Sequence, residues 1–374
     1  MGQSHARTTN AGLVRALPDG RNAMTKAYFT LTTCLVALLG SSFVVSCAGD
    51  SNSGDAGPSP VEVLIQGISV QILQEVENFS TTTAALSAST TAFCAAPSEA
   101  GLQDVQTQWR ASAVAWYQLQ TFNFGPADAD PVFPLYSFVD SLRLAGTDYT
   151  NSLRTTLEAW RTGDTELNRD FFAAQRFDDL GLLALELSLY DGDDLAATYA
   201  SDSRRCAILD GLAQDLEERA TAFKIGWTES YDDTGTPYVQ LLLNAMLPSG
   251  REPLVQIVVA VQNYLDYLHR DHIIDIAGQL SNANWVLLEG AVNAIDEVCA
   301  ADLEGGNMLY WMQQLGGADA ASKLQTDLTA AHAAIAAQDA TALETALSAL
   351  DGDFKREVPD TLGIDLGLTL TDGD

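Results

Sequence analysis

Two carboxylates in one apolar segment of this sequence are candidate ligands for a cation. Residues 177–190 are apolar on nearly every side of a predicted helix, yet they include Glu186. Asp179, Leu183 and Glu186 stand at i, i+4 and i+7, so a continuous helix would place them on one face. Because burying an unpaired carboxylate is costly, we predict that Glu186 has a specific partner.

Two kinds of partner are open for Glu186. Hard cations such as Ca²⁺ or Fe³⁺ accept oxygen ligands alone, so Asp179 and Glu186 could bind one together. Gln120, near the end of an earlier predicted helix, is expected to face the same site. Alternatively, Glu186 accepts hydrogen bonds from Trp109, Trp116, Gln120 or Tyr side chains and ties helices together.

A pair of histidines forms a second candidate metal site. His269 and His272 are three residues apart, and Asp275 follows His272 by three more, a spacing compatible with Zn or Fe. His272 and Asp275 also continue an apolar seam that begins at Leu254. The alternative is a structural histidine that pairs with Asp275 near a helix end.

The sequence contains none of the common hydrolytic or nucleotide-binding motifs. It has no His-Glu-x-x-His, no Gly-x-Ser-x-Gly and no Gly-rich phosphate loop. Acidic Asp-Gly-Asp segments occur at 191–194, 351–353 and 372–374, but none has the ligand spacing of an EF-hand loop. We predict that these segments are turns that end helices.

The first 46 residues are typical of a lipoprotein signal peptide. Lys26 precedes an apolar run at 28–45, and Val44-Val45-Ser46-Cys47 has the form of a lipobox. We expect cleavage before Cys47 and a lipid on its thiol, which would anchor the protein in the cell envelope, facing the periplasm, on the outer membrane. Residues 47–60 predict a flexible tether. An ordinary signal peptide or a short membrane anchor is the alternative.

The chain is strongly acidic, with a formal net charge of −31. Nucleic acid and anionic lipid surfaces are therefore repelled, and cations are the natural small partners. Solubility or a saline habitat is the alternative explanation, because the acidic residues are scattered along the chain.

Three further cysteines follow Cys47. An odd number in an oxidising compartment suggests one bridge and one buried thiol. We predict a bridge between Cys94 and Cys206, because each lies at the end of a long helical segment. A bridge between Cys94 and Cys299 is the alternative.

Apolar residues recur at helical spacing along the rest of the chain, and no stretch alternates for long enough to predict a strand. Long helices are predicted at 61–95, 102–122, 199–227, 282–300 and 318–337, with another that begins at Pro253 and continues through Asp275. A polar turn at 232–237 separates a first helical bundle, 61–232, from a second, 236–374. The predicted fold is all-α, with two pseudo-symmetric bundles of four or so helices.

Several segments, taken in order, resemble the imelysin family over residues 60–374. They are Trp109-Arg110-Ala111 through Trp116 to Phe122-Asn123-Phe124-Gly125-Pro126, the hexapeptide Gly181-Leu182-Leu183-Ala184-Leu185-Glu186, the Arg205-Cys206 helix closing at Trp227, and the ending Leu362-Gly363-Ile364 to Asp372-Gly373-Asp374. The resemblance implies a periplasm-facing lipoprotein or secreted protein built from two four-helix bundles. The family is called insulin-cleaving peptidases by name and is linked to iron uptake.

The family signature is Gly-x-His-x-x-Glu, and this sequence matches it only in part. Gly181 and Glu186 match, but Leu183 stands at the His position and offers no lone pair to a metal. We therefore expect a non-enzymatic envelope lipoprotein that binds Fe or another divalent or trivalent cation, or an iron-uptake partner protein. The alternatives are a peptidase, as the family name implies, and a structural or partner-binding module with a degenerate metal site.

Overall fold

The structure of the chain, a computed structural model, describes residues 58–366 apart from 131, 133, 144, 145, 271, 272, 302, 304 and 305. The predicted signal peptide 1–46, the predicted lipidation site Cys47 and nearly all of the tether lie outside the described residues. His272 of the second candidate metal site lies outside them as well.

All regular structure in the described part is helical, which confirms the predicted all-α fold. The helices are α1 (Pro60–Ala95), α2 (Glu99–Leu119), α3 (Leu135–Val139), α4 (Thr150–Thr162), α5 (Arg169–Ala173), α6 (Gly181–Tyr190), α7 (Leu195–Ser201), α8 (Ser203–Thr228), α9 (Tyr238–Leu243), α10 (Pro253–Arg270), α11 (Ile273–Ile276), α12 (Asn284–Ala300), α13 (Met308–Gln314), α14 (Ala318–Ala337), α15 (Ala340–Gly352) and α16 (Val358–Leu362). Four 3-10 turns, Gln120–Phe122, Gly125–Ala127, Ser141–Arg143 and Phe177–Asp179, and one π-helical turn, Asp353–Glu357, complete the set. Among the described helices, none has the length and apolar character needed to cross a membrane.

Side-chain caps mark where the first two long helices begin. The Glu62 backbone N–H donates to Ser59 Oγ at 3.3 Å, and the Ser59 N–H donates to Glu62 Oε2 at 2.7 Å, which forms a capping box at α1. At α2 the Gly101 N–H donates to Ser98 Oγ at 3.2 Å. Local sequence signals therefore set the start of both helices.

The core of the first half forms where α1, α2 and α8 pack against one another. Trp116 on α2 lies between Phe79 on α1 and Phe223 on α8, with ring centroids 5.1 and 6.5 Å apart. Helix α6 packs on α2 and α8, and eight of its ten residues are buried. The prediction of a helix covered on several sides is confirmed for Gly181–Tyr190 but not for 177–180.

The second half is built from α10, α12, α14 and α15. Helix α15 packs on α10 and α14, α12 packs on α14, and α12 also packs on α2 of the first half. The described residues all belong to one compact unit. The division into bundles at 61–232 and 236–374 stays a prediction.

The helix predicted from Pro253 through Asp275 is described in two parts, α10 and α11. The described residues of α10 are Pro253–Arg270 and those of α11 are Ile273–Ile276, and Asp275 in α11 is exposed. Ile273 is the residue of this turn that is fully buried. The prediction that Asp275 continues the buried seam is therefore wrong, because Ile273 faces the core in α11 and Asp275 faces solvent.

Candidate functional site

Glu186 is buried at the centre of the fold, and its partner is a serine. Only 3% of the surface of Glu186 is exposed to solvent. The Ser281 backbone N–H and hydroxyl both donate to Glu186 Oε1, at 2.9 and 2.7 Å. Burial raises the pKa of Glu186, and the hydrogen bonds from Ser281 oppose that rise. Because Ser281 lies in the segment before α12, this contact ties α6 to the second half of the chain.

Arg110 extends this tie to the protein surface. Its Nη2 donates to the Ser281 carbonyl oxygen at 3.0 Å, so Ser281 bonds Arg110 on one side and Glu186 on the other. A cavity of about 380 Å³ lies beside the tie, and Arg110 and Asn282 are among the residues that line it. The buried carboxylate is thus connected through one residue to a cavity wall.

None of the three numbered side chains predicted to bond Glu186 is hydrogen-bonded to it. Trp109 Nε1 donates to the Leu182 carbonyl oxygen at 3.1 Å, and Gln120 Nε2 donates to Asp140 Oδ2 at 3.2 Å. The Trp116 indole N–H is buried and has no hydrogen-bond partner in the described part of the chain. The structural role predicted for Glu186 is present, but a serine distant in sequence provides the hydrogen bonds.

Gly181 begins α6 in a conformation that favours glycine. Its φ is +77°, and a Cβ atom built there would lie 2.5 Å from the carbonyl oxygens of both Phe138 and Val139. Any side chain would therefore collide with the backbone of the end of α3. Gly181 thus allows the segment at 138–139 to pass against the start of the helix that carries Glu186.

Asp179 does not share a helix face with Glu186. It ends the 3-10 turn Phe177–Asp179, and Leu180 is extended before α6 begins at Gly181. No continuous helix joins Asp179 to Glu186, so the prediction that the two carboxylates lie on one helix face was wrong. Asp179 is half-buried, burial raises its pKa, and its side chain is hydrogen-bonded to Thr156.

A buried polar network surrounds Asp140, a residue that the sequence patterns did not identify. Asp140 Oδ2 accepts from Gln120 Nε2 at 3.2 Å and from the Tyr267 hydroxyl at 2.8 Å, and Oδ1 accepts from the Leu142 N–H at 3.1 Å. Tyr117 is hydrogen-bonded to Tyr267, and its pKa is raised by burial and by the charges of Asp140 and Glu186. The network and Glu186 are therefore electrostatic neighbours.

The signal for Asp140 in the sequence was weak. Asp140 follows the short helix α3 and precedes the 3-10 turn Ser141–Arg143, so no long helical pattern includes it. Its partners Gln120 and Tyr267 come from residues 20 and 127 positions away. The sequence offers one sign of this site, a single acidic residue among the mostly apolar residues 135–142.

The signature position held by Leu183 provides no ligand. Its side chain is apolar and the residue is 8% exposed. Within residues 58–366, less the nine positions named above, one group of at least three His, Cys, Asp or Glu side chains has the spacing of a metal site, and it includes neither Glu186 nor Asp179. In the described part of the chain Glu186 therefore accepts hydrogen bonds from Ser281 and belongs to no group of three potential metal ligands.

The predicted histidine site is only partly described, because His272 is outside the described residues. Asp275 is exposed, as stated above. His269 lies instead with Asp266 and Asp351, and these three form the one metal-like group just mentioned. Asp351 had been predicted to lie in a turn that ends a helix, but it lies within α15, which continues into the π-helical turn.

The cysteines Cys94 and Cys206 are neighbours in the structure. Cys94 Sγ lies 3.6 Å from the Cys206 carbonyl oxygen, and both side chains are described as thiols. Burial raises the pKa of Cys94 and of Cys206, and the completely covered Cys299 is affected in the same way. A bridge between Cys94 and Cys206 stays a prediction.

Comparison with known proteins identifies similar sequences and structures. The model of the imelysin family, a peptidase family by its description, matches residues 72–367. A crystal structure of an imelysin-like protein from Psychrobacter arcticum is 17% identical with a TM-score of 0.66, covering 83% of this chain and 99% of that one. A second, named as an iron-regulated protein A precursor from Parabacteroides distasonis, is 14% identical with a TM-score of 0.62, covering 82% and 97%. Comparison with the curated proteins found no match.

Proposed function

The chain belongs to the imelysin family, and on that premise we propose that it is a non-enzymatic envelope protein that binds a cation or a partner protein in connection with iron acquisition. The observation that carries the proposal is the combination of Leu183 with Glu186. The signature histidine is replaced by an apolar side chain, and Glu186 Oε1 already accepts two hydrogen bonds from Ser281. Metal-assisted hydrolysis needs a metal held by several ligands and an open position for water, and the motif offers one carboxylate.

Two observations support binding over catalysis. The net charge of −31 attracts cations and repels nucleic acid. The cavity beside Arg110 also gives the Glu186–Ser281 tie a surface where a partner could contact it. The connection with iron is supported by the name of the similar Parabacteroides distasonis protein, which describes that protein as iron-regulated.

The proposed location rests on the N-terminal sequence. A lipid on Cys47 and a tether at 47–60 would hold the folded unit on the periplasmic side of the outer membrane. The substitution Cys47→Ser is expected to release the protein from the membrane fraction. A Cys47→Ser protein that still sediments with membranes would contradict the lipid anchor and favour an uncleaved span.

Metal analysis of the purified full-length protein tests the binding function. We expect stoichiometric metal after incubation with Fe²⁺, Fe³⁺, Zn²⁺ or Ca²⁺ and removal of the excess. The absence of bound metal with all four ions would overturn cation binding and leave a partner-binding or structural module.

A peptidase assay tests the alternative, which the description of the family favours. We expect no cleavage of insulin beyond the background of a mock purification. Cleavage that stops with a chelator and in Glu186→Gln, but continues in the exposed control Glu289→Gln, would show that the protein is a metallopeptidase and overturn the non-enzymatic proposal.

A further inference from the structure

A group of three potential metal ligands lies where α10 packs on α15. Asp266 and His269 stand three residues apart on α10, and Asp351 lies near the end of α15. One ligand atom from each of the three lies within 4.8 Å of the other two. We propose that Asp266, His269 and Asp351 bind a divalent first-row transition-metal cation, at a site separate from the Glu186 motif.

Unpartnered buried atoms point to a ligand at this group. Asp351 is 6% exposed, and its Oδ1 is buried without a hydrogen-bond partner among the described residues. His269 Nδ1 is also buried without one. Leaving a buried polar atom unpaired costs about 1–3 kcal/mol of stability. Two such atoms in one group, Asp351 Oδ1 and His269 Nδ1, therefore point to a ligand that both can bind.

The two helices that carry the ligands are joined by a hydrogen bond, and one of them, α15, continues into a π-helical turn. The π-helical turn Asp353–Glu357 follows α15 directly, and such turns are rare and often occur at functional sites. Gln262 Nε2 on α10 donates to the carbonyl oxygen of Phe354 in this turn at 2.5 Å. The hydrogen bond fixes the end of α15 against α10, which keeps Asp351 opposite Asp266 and His269.

Lys355 is the competitor that a metal cation must displace. Its Nζ lies 2.7 Å from Asp351 Oδ2 and 3.3 Å from Asp266 Oδ1, while Arg270 Nε lies 3.0 Å from Asp266 Oδ1. Without metal, Lys355 lowers the repulsion between the two carboxylates. Its side chain is about one-third exposed, so it can turn toward solvent when a dication takes its place.

The donor set selects the class of cation. Two carboxylates and one imidazole suit Fe²⁺, Mn²⁺ or Zn²⁺ better than Ca²⁺, which prefers oxygen ligands, or Cu⁺, which prefers sulfur. Three protein ligands also leave positions open for water or for a ligand presented by a partner. This site gives the proposed cation binding a location, and it deepens that part of the proposed function.

Calorimetric titration of the purified full-length protein with Zn²⁺, and with Fe²⁺ under anaerobic conditions, tests the site. Wild-type protein should bind one equivalent that Asp351→Asn and His269→Gln each weaken by at least about 100-fold, the upper end of the losses seen for outer-shell partners. Lys355→Met should tighten binding by at least about 10-fold, because it removes a competing charge. His332→Gln, a change of the histidine near Asp296, is the matched control and should bind as wild type.

The possible outcomes distinguish a failure of this site from a failure of the proposed cation-binding function. Metal binding that persists in Asp351→Asn and His269→Gln but disappears in Glu186→Gln would overturn the site and retain a cation-binding protein. No binding by wild type would overturn both. If Asp351→Asn does not fold, as judged by its thermal melt, the half-buried His269→Gln and Lys355→Met decide: unchanged affinity in both would refute the proposal.

Discussion

The ionisation of Glu75 is expected to make the stability of the fold depend strongly on pH. Glu75 on α1 is 8% exposed, and its Oε2 has no hydrogen-bond partner among the described residues. Burial, followed by the negative charge of Glu297 on α12, raises the pKa of Glu75 from 4.5 to about 7. A hydrogen bond with Asn78 opposes this rise only in part. The carboxylate therefore lies where ionisation opposes the packing of α1 on the second half.

The sign and size of the effect follow from the shift in pKa. Between pH 4.5 and about 7 the folded protein binds a proton that the unfolded chain releases, so the free energy of unfolding falls as pH rises through this interval. A shift of that size corresponds to about 3 kcal/mol above pH 7, at about 1.4 kcal/mol per pKa unit. Glu75→Gln removes the charge, but its buried amide donor costs about 1 kcal/mol.

Urea denaturation at several pH values between 4 and 8 measures this effect. Above pH 7 we expect Glu75→Gln to be more stable than wild type by about 2 kcal/mol, and near pH 4 slightly less stable. The control Glu77→Gln changes an exposed neighbour on the same helix, which pairs with Lys224, and should follow the wild-type pH profile within about 0.5 kcal/mol. Parallel pH profiles for wild type and Glu75→Gln would refute the reasoning.

Three further predictions concern the backbone, the polar network and the thiols. Gly181→Ala should cost at least about 3 kcal/mol because its Cβ meets two backbone oxygens, whereas Gly235→Ala, at φ +73° with open space around it, should cost about 1 kcal/mol; equal losses in thermal melts would contradict the steric argument. Tyr267→Phe removes a donor to a buried carboxylate and should cost about 1.5–3 kcal/mol in urea denaturation, and an unchanged midpoint would contradict the network. Non-reducing peptide mass spectrometry of protein isolated from the envelope should find Cys94 linked to Cys206, and two free thiols at these positions would exclude the bridge.

Long helices were predictable from the sequence because their apolar periodicity is repeated over several turns. Helix α14 matches its predicted bounds, and α1 differs by one residue at its start. The phase of short segments was not predictable in the same way. Leu180 is extended and Gly181 has φ +77°, which interrupts the helix that would have joined Asp179 to Glu186, and the backbone at 138–139 passes too close to Gly181 for any side chain. This close approach involves residues more than 40 positions away, so the local pattern does not reveal it.

The polar partners were missed for a related reason. Ser281 is 95 residues from Glu186, and Tyr267 is 127 residues from Asp140. Serine and tyrosine are common at such positions, so neither residue type marks a hydrogen bond in advance. The cluster of Asp266 with His269 is visible as an i, i+3 pair on α10, but its third member, Asp351, is contributed by α15. Sequence spacing can identify ligands on one helix, and only the fold shows which other helix completes the set.

Gly181 and Glu186, the two residues that match the family signature, both have structural roles that do not require a metal. Gly181 allows α6 to start against the carbonyl oxygens of Phe138 and Val139, and Glu186 accepts two hydrogen bonds from Ser281. Leu183 makes neither kind of contact, and an apolar side chain is well suited to its buried position. A leucine at this position is therefore compatible with the architecture and offers no metal ligand. For the same reason, the metal binding that we propose is assigned to Asp266, His269 and Asp351 and not to the signature residues.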